Sequence, residues 1–190
     1  LLNPDGTLVS LQNGVPEKHI LTHLPAKNVV AGSVKFCGTS KGPGESALTT
    51  DFDTFKSFAF KIGEIDGSTT DRIKDVQSVL NHVGGTFISD NLMGTKWSKL
   101  LINSSFSGLS ATTNSTFGDV ADNDETVLAA LNIINEGLEA GSADHVQFDE
   151  LNNFDLSYFK KPVDGKFTDE QVATLRKLIE PIRKLEASML

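Results

Sequence analysis

Apolar residues recur along this chain in two rhythms, and the change of rhythm divides it. In the first half they alternate or gather in short runs: Leu8, Val9 and Leu11, then Val30, Val34 and Phe36, then Phe58, Phe60 and Ile62, then Phe87 and Ile88. Period two with β-branched and aromatic residues predicts strands over residues 8–11, 28–38, 55–63 and 87–88. Asn3-Pro4-Asp5-Gly6 and Glu64-Ile65-Asp66-Gly67 are turn signals. Residues 17–24 read as a short helix after the break at Gln12-Asn13-Gly14-Val15-Pro16. Thr70 or Asp71 caps a second helix, with Ile73, Val76, Val79, Leu80 and Val83 on one face and Gly84-Gly85 at its end. Beyond residue 90 the period becomes helical. One helix is predicted over residues 91–111, and a polar, glycine-containing loop over 112–124. A second helix over 125–140 carries Val127, Leu128, Leu131, Ile134 and Leu138 and stops at Gly141. Residues 142–167 have no clear period and stay unassigned. Thr168-Asp169-Glu170-Gln171 fits a capping box. It opens a last helix with Val172, Leu175 and Ile179 inward and a kink at Pro181. The pattern is α/β followed by all-α, with a boundary near residue 89: residues 1–89, then 90–190.

Charge narrows the partners. Seventeen basic and 25 acidic residues leave a net charge of −8, which disfavours nucleic acid and anionic membranes as main partners. No apolar run approaches the roughly 18 residues of a membrane helix. Cys37 is the single cysteine, so no intrachain disulfide framework exists and a cytoplasmic setting is the simplest expectation. The chain starts at Leu1-Leu2 and finishes at Ser188-Met189-Leu190 with no stop signal after the last helix. A piece of a longer protein is expected.

The candidate chemistry centres on the first long helix. Lys99, Asn103 and Ser107 stand at i, i+4 and i+8 and share one stripe. Leu92 and Phe106, seven residues either side of Lys99, lie on the same stripe. An amine and an amide among apolar neighbours suit an anionic or carbonyl ligand. The plain alternative is a surface lysine whose stem covers apolar area. Asn13 ends a strand, where ligands gather in α/β folds; equally, it is a turn residue before Gly14. His19 and His23 have a metal-binding spacing, but no third ligand is evident, so surface histidines are the default and no metal is expected. Cys37 has no visible base partner and reads as a small core residue. Gly42-Pro43-Gly44-Glu45-Ser46-Ala47 matches a loose G-x-G-x-x-A. No helix follows it, as a pyrophosphate loop requires, so a turn between strands is expected.

With these residues in place, the chain resembles the ketopantoate reductases (2-dehydropantoate 2-reductases). The matching pieces, in order, are Leu11-Gln12-Asn13-Gly14-Val15, Gly42-Pro43-Gly44, Ile62-Gly63-Glu64-Ile65-Asp66-Gly67, Trp97-Ser98-Lys99-Leu100 with Asn103, and Ser188-Met189-Leu190. The resemblance implies the C-terminal part of a Rossmann-type domain followed by a helical substrate-binding and dimerisation domain. It implies NADPH-dependent reduction of a 2-oxo acid to a 2-hydroxy acid in pantothenate biosynthesis, with a homodimer as a possible assembly. By position, Lys99 matches the family's catalytic lysine. Asn103 and Ser188 match substrate-binding residues, and Asn13 matches the strand-end asparagine at the cofactor. Ser107 stands where the family usually has a second asparagine followed by proline, which leaves another 2-oxo acid open as substrate. The family's cofactor fingerprint and the acidic residue beyond Ser-Met-Leu are absent. The chain alone is expected to be inactive.

Two other readings stay open. One is a non-catalytic helical interaction domain, marked by Leu128, Leu131 and Leu138 exposed in a two-fold interface. The other is a related opine-type or 3-hydroxyacid dehydrogenase.

Overall fold

The computed structural model describes residues 2–151 and 153–185. Its contacts divide the chain into two compact units, with the division between Lys96 and Trp97.

The first unit is built on a mixed four-stranded sheet. Its strands are β1 (Leu8–Ser10), β2 (Val29–Val34), β5 (Phe60–Glu64) and β6 (Thr86–Ile88), in the order β1-β2-β5-β6. β1 runs parallel to β2, β2 antiparallel to β5, and β5 parallel to β6. The central strand β2 is buried from Val29 through Ser33, as a β-branched run covered on both faces must be. Helix α1 (Glu17–Ile20) follows β1, and helix α3 (Asp71–Leu80) packs Ile73 against Val30 and Ile62. Thr70 caps α3 by accepting from the Ile73 amide.

Gly42-Pro43-Gly44 does lie between two strands. β3 (Gly38–Gly42) and β4 (Glu45–Leu48) form a separate hairpin. The dinucleotide-loop reading is therefore excluded there.

Three expectations in this unit need correction. The strand predicted over 55–63 is strand only from Phe60. Before it, Asp51 accepts from the Thr54 amide and starts helix α2 (Phe52–Ser57), so a local cap overrides the alternating pattern. Val79 is 68% exposed and Val83 is exposed too. Val79 sits well off the stripe that joins Ile73, Val76 and Leu80, and Val83 lies beyond the end of the helix. Cys37 is exposed rather than in the core.

The second unit is helical, and α4 (Leu92–Ile102) leads into it. The run predicted as one helix is continuous but not uniform. A single π turn, Asn103–Ser107, joins α4 to α5 (Gly108–Thr113). Serine hydroxyls accompany the change: Ser105 donates to the Leu101 and Ile102 carbonyls and Ser104 to Leu101. Back-bonding of this kind loosens and bends helices.

Helix α6 (Phe117–Asp122) occupies the stretch expected as loop. Its signal was a capping box, Thr116 with Asp119, around a buried Phe117, Val120 and Ala121. Helix α7 (Asp124–Ala143) does not stop at Gly141. That residue lies inside it, against the Phe148 ring, where a Cβ would collide.

A 3-10 turn, Leu156–Phe159, sits within the unassigned region. Helix α8 (Asp169–Ile179) starts at the predicted Thr168–Gln171 box. At Pro181 the chain passes into a 3-10 turn, Glu180–Ile182, so the proline ends the helix rather than kinking it. The core of this unit gathers Leu101, Phe106, Phe117, Leu131, Ile134 and Leu175 with their neighbours around α7. Leu131 and Leu138 are fully buried in it, and Leu128 is 41% exposed. The exposed leucine stripe expected for an interaction domain is therefore not formed.

Candidate functional site

Each unit contributes candidate groups, and each set follows from local sequence. In the first unit β1 ends at Ser10, and the chain turns through Leu11-Gln12-Asn13 into Gly14, whose φ of +74 suits glycine. Asn13 is exposed on that turn. Beneath the turn lies a group that sequence reading passed over. Lys96, on α4, is 3% exposed, and its ammonium donates to Glu17 Oε1 at 2.6 Å, the Gln12 carbonyl at 3.1 Å and the Gly32 carbonyl at 3.2 Å. Glu17 is 1% exposed, and its Oε2 has no hydrogen-bond partner in the structure. The signal was present. Lys96 stands four residues after the buried Leu92, on the inward face of α4.

In the second unit Lys99, Asn103 and Ser107 follow one another along the continuous helical run. Lys99 opens the last turn of α4, Asn103 opens the π turn and Ser107 closes it. Lys99 and Asn103 are half-buried, and Ser107 is 7% exposed. In an α-helix four residues overshoot a full turn by about 40°. The wider π turn rotates less per residue, so Ser107 returns toward the line of Lys99 instead of drifting further. Isolated π turns are frequent at functional sites. The run is held from behind by Ser98, which donates to the Asp149 carbonyl at 2.6 Å, and by Trp97, which meets the Phe148 ring edge-on at 6.3 Å. A half-buried ammonium with an amide one turn on is a donor pair suited to a carbonyl or carboxylate oxygen. Ser188 lies outside the described residues.

Other polar features are more readily structural. A groove of about 500 Å³ in the first unit is lined by Lys27, Glu64, Asp66, Thr70 and Arg72, among others. Glu64 there accepts from Thr70 at 2.5 Å and pairs with Arg72, which ties the end of β5 to the start of α3. The Ser68 hydroxyl and backbone amide hold the Asp66 carboxyl below its ordinary range. His19 and His23 are exposed, with rings edge to face at 5.1 Å. Among the described residues no group of three or more metal-ligating side chains occurs, and no helix is long and apolar enough to cross a membrane.

Comparison with known families matches residues 91–188, just over half of the chain, to the family described as "Ketopantoate reductase PanE/ApbA C terminal". The chain belongs to the ketopantoate reductase family. That matched region contains Lys99, Asn103 and Ser107. Among curated relatives, a 2-dehydropantoate 2-reductase of Pyrococcus horikoshii is 24% identical over 146 residues, covering 76% of this chain and 46% of that protein. The chain thus spans about half the length of the curated relative it matches. The ternary structure of D-mandelate dehydrogenase with NADH and anilino(oxo)acetate is similar with a TM-score of 0.74, at 18% identity, over 100% of this chain and 55% of that one. A dimeric ketopantoate reductase from Staphylococcus aureus is similar with a TM-score of 0.65, at 20% identity, over 100% and 54%. These structures share the fold of a Rossmann-type domain followed by a helical one, which the two units of this chain reproduce in part.

Proposed function

We propose that this chain is the substrate-side part of a nicotinamide-dependent 2-oxo acid reductase, of the kind that makes pantoate from ketopantoate in pantothenate biosynthesis. The observation that carries the reading is the Lys99, Asn103 and Ser107 series across a π turn, within the region matched to the family. The described residues fit a nicotinamide cofactor only in part. The turn after β1, with Asn13, fits the reacting end of the cofactor. The one glycine-rich run that resembles a pyrophosphate loop is an exposed hairpin. When bound, the cofactor, NADPH on the family resemblance, supplies the hydride.

The chain's own residues do the rest of the work in this reading. Reduction of a ketone builds negative charge on its oxygen. The Lys99 ammonium stabilises that charge and donates the proton that completes the hydroxyl. The Asn103 amide fixes the orientation of the oxygen. Ser107 offers a hydroxyl on the substrate side, where its small size leaves room for a 2-oxo acid larger than ketopantoate. Ser188 would add a further hydroxyl. A homodimer is part of the reading, supported by the dimeric Staphylococcus aureus relative.

The test is Lys99→Met in the full-length protein, assayed with NADPH and NADH over a panel of 2-oxo acids. Loss of an oxyanion-stabilising donor is expected to lower kcat by about 10²–10³-fold, with an unchanged circular dichroism spectrum. Undiminished reduction by the variant would place the chemistry elsewhere.

A further inference from the structure

We infer that the buried Lys96–Glu17 pair is a positioning device that sets the geometry of the Gln12-Asn13-Gly14 turn for its ligand. The inference deepens the reductase reading and rests on it for the identity of that ligand. Three observations carry it.

The first is connectivity. One ammonium joins three points that are distant in sequence: the turn after β1, the first residue of α1, and β2. The Gln12 carbonyl belongs to the planar peptide that links Gln12 to Asn13. Fixing that oxygen therefore fixes the plane from which Asn13 projects. Gly32 lies one residue beyond Ala31, the last residue of β2 paired with β1. Lys96 thus occupies the end of the β1–β2 ladder, where a continuing strand would otherwise accept or donate.

The second is cost. Burying an ion pair in place of a well-packed apolar pair is often neutral or unfavourable for stability. Here the Glu17 carboxylate is also left with one buried oxygen unbonded, which raises that cost. What the ammonium adds that an apolar side chain cannot is a set of directed bonds to two backbone carbonyls.

The third is place. Asn13, exposed like Gln12, directly follows the bonded carbonyl in the turn that leaves the carboxyl end of β1, and such strand ends are where ligands of α/β sheets sit. Lys96 is 3% exposed and has almost no surface with which to touch a ligand itself. It acts through the Gln12 carbonyl.

The experiment replaces both charges together, Lys96→Met with Glu17→Leu, in the full-length protein. No buried charge is then left alone, and the fold is expected to survive. Two measurements follow. Amide hydrogen exchange is expected to accelerate at least about tenfold at Ile20 and Leu21, whose amides donate to the Pro16 and Glu17 carbonyls where the turn enters α1, with β5 unchanged. Turnover on the preferred 2-oxo acid is expected to fall about 10- to 100-fold, as small misplacement of an aligning group does, with KM for the 2-oxo acid within a few-fold of the parent. Unchanged exchange in a folded double variant overturns the inference, because the turn would then be held without the pair. Faster exchange with parental turnover overturns it too, because the geometry would not matter to the ligand. If the parent reduces no 2-oxo acid, the reductase reading fails by itself, and the exchange measurement still decides whether the pair holds the turn. Should the double variant fail to fold, Glu17→Gln serves the same two measurements, with the same outcomes for and against.

Discussion

At the scale of single residues, the informative contrast is between two lysines three positions apart. Lys99 is half-buried, and Lys96 is sealed under the turn after β1 with a carboxylate and two carbonyls. Their stability consequences differ accordingly. Lys96→Met alone leaves Glu17 charged in a dry site, and breaking a buried pair in this way costs about 3–5 kcal/mol. Urea denaturation is expected to show that loss for Lys96→Met and for Glu17→Leu separately, with the double variant recovering most of it. Additive losses in the double variant would mean the two charges do not compensate one another. Lys99 is half-buried, and the effect of Lys99→Met is expected first on turnover, which the assay of the full-length variant reads.

The amine, the amide and the serine of the candidate site were legible in the sequence because helical spacing depends only on counting. Lys96 was not singled out, because a lysine in an amphipathic helix is ordinarily solvated. What buries it is a contact to residues about 64 to 84 positions away. A lone sequence does not display such partners.

At the scale of elements, local hydrogen-bond chemistry decides where the pattern reading succeeds. Thr168 with Gln171 and Thr70 before Ile73 were readable as helix starts, because each cap is formed within four residues. The same logic applies to Thr116 with Asp119, but Gly118 and the shortness of α6 masked it. Hydrophobic period alone failed at residues 55–59, where the cap at Asp51 prevailed. It failed also at Gly141, whose missing side chain serves packing against Phe148 and not termination. The π turn was invisible, since it departs from the α-helix by one residue per turn and leaves no compositional mark except its serines.

The α6 cap makes a prediction about acid. The Thr116 backbone amide, and then its hydroxyl, hold the Asp119 carboxyl below its ordinary value of 3.8. A carboxyl whose folded pKa is depressed adds stability that is present above the unfolded value and lost as pH falls through the folded one. The Tm difference between the parent and Asp119→Asn is therefore expected to be full near neutrality and to narrow as pH is lowered from about 5 to about 3. A difference that widened over that range would show that the charge is not what the cap uses. Thr168→Ala, whose box has glutamine instead of aspartate, should cost about 1 kcal/mol with no such dependence on acid.

At the scale of the whole molecule, the two units differ in how much core they hold. Among the described residues, the second gathers fifteen fully or nearly buried apolar side chains around α7. The first unit's corresponding cluster consists of Val30, Ile62 and Ile73 with partly buried neighbours. The β3–β4 hairpin has almost no buried residue along either strand, and an isolated two-stranded hairpin is marginal in water. The change of rhythm in the sequence falls near residue 89. The contacts divide the chain seven residues later, within α4, because a helix that starts on one unit can end on the next.

These differences set an order of opening. In native-state hydrogen exchange, the amides of α7 between Val127 and Leu138 are expected to be the slowest, since their side chains form the centre of the larger core. Those of β3 and β4 are expected to be the fastest among the regular elements. Leu131→Ala removes a fully buried side chain and is expected to cost about 2–5 kcal/mol. Because α6, α7 and α8 share that core, the loss should appear in the exchange of all three together, while the hairpin, already open at little cost, keeps its rate. Protection of β3–β4 above that of α7, or a loss confined to α7 alone, would show that the helical core is not the cooperative unit its packing describes.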